Sequence, residues 1–95
     1  MNTQNKELIL RLLDALFPGV KVYLFGSRAT NTHRPTSDFD FALDAGRKLD
    51  FLELARARNV LDTLYIAEKI DLVDMHSIPQ TLHDTILQEG VLWKN

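Results

Sequence analysis

Cysteine is absent from the sequence. Disulfides and thiolate-bound metals are therefore excluded, and the composition fits a reducing compartment. A basic excess is missing too: 11 Lys and Arg stand against 13 Asp and Glu, a formal net charge of −2. Domains that grip nucleic acid through its phosphates usually show the opposite balance, so direct nucleic-acid binding is not expected. The basic residues are scattered, with no run of like charge. No apolar run approaches the ~20 residues a membrane-spanning helix needs. The N-terminus lacks the tracts of a secretory signal. No repeat, linker or low-complexity tract interrupts the 95 residues. The expectation is one soluble, cytoplasmic domain over residues 1–95, without room for a second substrate-binding domain.

What is present is a clear alternation of elements. Residues 3 to 17 read as a helix, because Leu8, Ile9, Leu12, Leu13 and Leu16 recur at helical spacing. Thr3 is the expected cap, and Pro18-Gly19 the stop. Val20 to Phe25 is β-branched and aromatic and reads as a strand. Asn31 to Ser37 is polar, contains Pro35 and reads as a loop. A second strand runs from Asp38 to Leu43. Asp50 with Glu53 forms a capping-box pattern that opens a helix over 50–66, with Leu54, Ala57, Leu61, Leu64 and Tyr65 on its buried side. Lys69 to Met75 is a third strand. Ser77 and Gln80 suggest another capping box, opening a last helix that Gly90 ends. Val91, Leu92 and Trp93 form a tail suited to an added strand or a contact surface.

The stretch from Leu24 to Ala42, LFGSRATNTHRPTSDFDFA, carries the chemistry. Gly26 has no Cβ, so its backbone can turn sharply and approach a ligand closely. Ser27 can cap a helical turn and offer its hydroxyl to a phosphate. Asp38 and Asp40 are two apart and point to one face of a strand, while Phe39, Phe41 and Leu43 point to the other. Two carboxylates on one face suit Mg²⁺, which binds through one or two carboxylates plus substrate phosphates. Asp71 and Asp74 differ in parity, so only one of them can join Asp38 and Asp40. An isolated DxD is most often a solvent-facing strand edge, but Gly26-Ser27 upstream shifts the balance. Arg28 reads equally as a phosphate-binding cation or a surface arginine. His33, His76 and His83 show no metal-ligand spacing; His33 lies between the two halves of the motif.

Gly26-Ser27, ten intervening residues and Asp38-Phe39-Asp40 resemble the GS-x10-DxD signature of the DNA-polymerase-β-like nucleotidyltransferase superfamily. The form GSRA…SDFDFA in so short a chain resembles its minimal nucleotidyltransferase (MNT) family, over roughly residues 20–92. One departure is Asn31, where many members have Gly. The resemblance implies an α/β fold of α+β type: a small mixed sheet of three or four strands, helices mainly on one face, and the carboxylates on the open face. It implies a third carboxylate on the strand KIDLVDM, for which Asp71 is the better match and Asp74 the alternative. It implies that Asp38, Asp40 and Asp71 hold Mg²⁺, as two ions, while Gly26, Ser27 and Arg28 hold the triphosphate of ATP.

Family members typically occur beside a HEPN-domain protein as toxin–antitoxin pairs, and transfer AMP from ATP to a tyrosine of the HEPN ribonuclease. The resemblance implies that function here. A non-catalytic antitoxin acting by occlusion, a small-molecule nucleotidyltransferase completed by a partner subunit, and an RNA nucleotidyltransferase are the alternatives.

Overall fold

Asn2 starts the first helix. Its side chain accepts a hydrogen bond of 2.7 Å from the Asn5 amide, so the cap is Asn2, and Thr3 is the first residue inside. In this computed structural model, which describes residues 1–30 and 38–95, helix α1 covers Thr3–Leu16. Ile9 and Leu13 are fully buried on its inner side, as the spacing requires. Gly19, at φ +80, turns the chain into strand β1, Lys21–Phe25. A single 3₁₀ turn over Gly26–Arg28 follows. The expected loop over Asn31 to Ser37, with Asn31, His33 and Pro35, lies outside the described residues.

Strand β2 covers Phe39–Asp44 and runs antiparallel to β1. Helix α2, Phe51–Asp62, has the full capping box: the Asp50 side chain accepts from the Glu53 amide, and Glu53 accepts from the Asp50 amide. The helix ends at Asp62, earlier than expected. Tyr65 falls beyond it and is 96% exposed, which corrects its placement on the buried side. Strand β3, Ile70–Asp74, pairs parallel to β2. Helix α3, Gln80–Glu89, begins after Pro79 without a side-chain cap. Ser77 does not cap it; its hydroxyl donates to Asp74. The tail is strand β4, Val91–Lys94, antiparallel to β1. Among the described residues the mixed sheet therefore has four strands, in the order β3-β2-β1-β4.

Strand parity divides the apolar residues between two faces. Val22 and Leu24 of β1, Phe39, Phe41 and Leu43 of β2, and Leu72 of β3 join Ile9, Leu13, Ala57 and Leu61 in the main core, beneath α1 and α2. Trp93 packs at its margin, 5.0 Å from the Phe41 ring centre. On the other face Ala42, Met75 and Ile86 form a smaller cluster with Tyr23, Phe25, Val73 and Leu82. Two helices thus cover one face. The third covers part of the other and leaves open the end where β2 and β3 begin.

Candidate active site

The antiparallel turn of β1 into β2 brings the two motif halves together. Phe25 is the register partner of Asp40, so the residue after Phe25 lies beside the Asp40 side chain. That residue is Gly26, at φ +74, where a side chain is strained. A Cβ built there would stand 2.7 Å from Asp40 Oδ2. Only glycine lets the backbone and the carboxylate come this close. Ser27, half-buried, and Arg28 complete the 3₁₀ turn, closed by the Ala29 amide donating to the Gly26 carbonyl at 3.1 Å. The Arg28 guanidinium lies 4.3 Å over the Phe39 ring.

The parallel pairing of β2 and β3 brings Asp71 beside Asp40. Asp40 is the register partner of Asp71, and both have the parity of Ala42 and Val73. Asp38 lies just before β2, two residues from Asp40 and on the same parity. Burial pushes the Asp40 carboxyl above the usual carboxylate range, and the charges of Asp71 and Asp38 push it further the same way. Asp40 therefore senses both neighbouring acids. Lys69, two residues before Asp71, places its ammonium 4.0 Å from Asp38 Oδ2. The sequence reading missed Lys69; its parity with Asp71 was the available signal.

Asp74 points to the opposite face and is only 2% exposed. Its carboxylate accepts from the Leu49 amide at 2.8 Å, the His76 amide at 3.0 Å and the Ser77 hydroxyl at 2.8 Å. It ties the entry of α2 to the end of β3 and does not meet Asp40. His76 pairs with Asp44 at 2.8 Å, at the other end of the sheet from Asp40. Among the described residues, no three acidic or histidine side chains converge closely enough to form a metal site by themselves. Mg²⁺ does not require that, since phosphate oxygens and water complete its shell. The hard, mutually repelling oxygens of Asp38, Asp40 and Asp71 fit such an ion.

Two concavities flank the carboxylates. A groove of about 300 Å³ beside Gly26 is lined by Phe25, Thr30, Leu82, Thr85 and Glu89 among others. A cleft of about 390 Å³ at the β3 edge includes Arg58, Asp62, Ile66, Lys69 and Asp71. Among the described residues, no helix is long and apolar enough to cross a membrane.

This arrangement has clear counterparts. The model of the polymerase beta nucleotidyltransferase family matches residues 9–94. The protein adenylyltransferase MntA of Shewanella oneidensis is 33% identical over 99 aligned positions, covering 98% of this chain and 68% of that one. A solved toxin–antitoxin structure with AMP-PNP superposes with a TM-score of 0.79 at 29% identity, covering 94% of this chain and 72% of its own. Another, a tri-AMPylated HEPN toxin of Shewanella oneidensis in complex with its MNT antitoxin, gives a TM-score of 0.75 at 26% identity, covering 98% and 71%. With its fold, its paired motif halves and these matches, the chain belongs to the polymerase beta nucleotidyltransferase family.

Proposed function

We propose that residues 1–95 form a single-domain, Mg²⁺-dependent protein adenylyltransferase that moves AMP from ATP to a tyrosine of a HEPN-domain toxin and so neutralises it. The observation that carries this reading is the junction of the motif halves: Gly26 lies against the Asp40 carboxylate, and Asp40 stands in register with Asp71. The relatives support the rest. One is named a protein adenylyltransferase, one solved neighbour was obtained with an ATP analogue, and one contains an AMP-modified HEPN toxin. The compartment is the cytoplasm, where ATP is available and the lack of cysteine is unremarkable.

Asp38, Asp40 and Asp71 are the residues that would hold Mg²⁺, as a pair of ions. When bound, Mg²⁺ supplies charge neutralisation at the triphosphate and at the attacking and leaving oxygens. Gly26 lets the phosphates approach the backbone. Ser27 and neighbouring amides donate to the β- and γ-phosphates, and Arg28 adds positive charge at the same strand end. Displacement at phosphorus runs in line, so the acceptor enters opposite the departing pyrophosphate. The strand order puts Gly26 on one side of Asp40 and Asp71 on the other. The acceptor phenol therefore comes over the β3 edge, beside the cleft that contains Asp71. Its oxygen bonds to the α-phosphorus, the bond to pyrophosphate breaks, and the phenolic proton passes to water. No covalent enzyme intermediate is needed.

The test compares ATP labelled at the α- or the γ-phosphate, incubated with the chain, Mg²⁺ and a HEPN-domain partner. Label reaching the partner from the α-position alone is expected. Label from the γ-position, or a stable complex that never becomes labelled, would overturn the reading; the second result would favour neutralisation by occlusion.

A further inference from the structure

We propose, resting on the transfer reaction above, that Tyr65 of this chain is itself an acceptor and takes AMP from a second copy. Tyr65 has φ 53, and among the described residues it is the one non-glycine with positive φ. That region favours Gly or Asn, and strained residues that serve no packing role tend to serve function. Tyr65 gives the fold nothing: its side chain is 96% exposed. Its neighbours behave oppositely. Leu64 and Ile66 both pack against the main core. The chain before it is tied down, with the Thr63 amide donating to the Val60 carbonyl at 3.1 Å and the Leu64 amide to the Leu61 carbonyl at 3.1 Å. The loop is thus held on both sides of Tyr65, and its backbone turns the phenol outward.

Residues 63–69 lead into β3 at the end of the sheet that carries Asp38, Asp40 and Asp71. Asp62 and Ile66, on either side of Tyr65 in sequence, line the same cleft as Asp71. The Tyr65 side chain itself is open to solvent. Tyr23, the other tyrosine, is half-buried against the Ala42 cluster and cannot be presented in this way. Because the Tyr65 side chain projects away from its own chain, transfer is intermolecular. The phenolic oxygen bonds to the α-phosphorus of ATP held by the other copy, the α–β bridging bond breaks, pyrophosphate leaves, and the proton goes to water.

The experiment mixes the wild-type chain with a mass-tagged Asp38→Asn/Asp40→Asn chain, Mg²⁺ and ATP, and follows intact mass and a peptide map. A parallel arm adds the HEPN-domain partner. The expected result is one AMP on the inactive chain, mapped to Tyr65, forming faster as wild-type concentration rises. Tyr65→Phe in the inactive chain, an exposed change that leaves the fold intact, should abolish the gain. AMP on another residue, or an unmodified inactive chain beside a modified partner, would overturn the inference and leave the proposed function standing. No AMP on either protein would overturn both.

Discussion

Gly26 and Asp40 share one space: a Cβ on the glycine would stand 2.7 Å from the carboxylate oxygen Oδ2. The φ of +74 at Gly26 adds a second constraint. Gly26→Ala should therefore cost about 1–2 kcal/mol for the left-handed backbone and displace the Asp40 carboxylate as well. Transfer activity should fall much further than stability. Urea unfolding beside a transfer assay checks this, and an active Gly26→Ala would show that the close approach is dispensable.

Asp40 holds its proton to higher pH in the folded chain than in the unfolded one, through burial first and then the charges of Asp71 and Asp38. Between those two pH values folding takes up a proton. The group accordingly favours the fold on the acid side and opposes it once ionised. Asp40→Asn should be more stable than wild type at neutral pH, and the difference should shrink as pH falls through the carboxylate range. It should also abolish transfer. Denaturant midpoints measured across pH test the first point, and a loss of stability at neutral pH would contradict it.

Asp71 and Asp74 lie on opposite faces of β3, one exposed beside Asp40 and the other buried and hydrogen-bonded. Asp74→Ala leaves the buried Leu49 amide without its acceptor and should destabilise by about 2–3 kcal/mol. Asp71→Asn is exposed and should leave stability nearly unchanged while reducing transfer. Paired unfolding and transfer measurements read both; the reverse pattern would reassign the third carboxylate.

Much of this division was legible beforehand. The period-two contrast in DFDFAL placed Asp38 and Asp40 opposite Phe39 and Phe41, and the odd spacing of Asp71 and Asp74 put them on different faces. The Asp50–Glu53 box was readable because both partners are local. What escaped depends on tertiary context. Asn2 capped in place of Thr3 because helix starts differ by a residue with little local signal. Ser77 left its expected cap for Asp74, which comes within reach only through the bend after β3. Ala42 shares parity with Asp40 yet is buried, because α3 folds back over that face. No sequence rule placed Tyr65 in a left-handed turn; its aromatic ring matched the helical stripe, but the helix had already ended.

The α2 entrance provides an acid-stability test away from the site. Glu53 is held down to about 2 from its ordinary 4.5, first by its hydrogen bond to Arg47 and then by the Asp50 amide. A lowered carboxylate stabilises the fold above its unfolded value, and that contribution is lost as pH falls toward the folded one. Glu53→Gln should flatten the stability profile between about 4.5 and about 2 and leave transfer unaffected. A profile as steep as that of wild type would place the acid sensitivity elsewhere.

The most direct measurement is the intact mass of a HEPN-domain partner after incubation with this chain, Mg²⁺ and ATP, with Asp38→Ala/Asp40→Ala run alongside. A gain of whole AMP units with wild type alone, both chains remaining folded, is the expected result. An equal gain with the variant, or an unmodified partner held in a stable complex with wild type, would contradict the assignment of these carboxylates to nucleotidyl transfer.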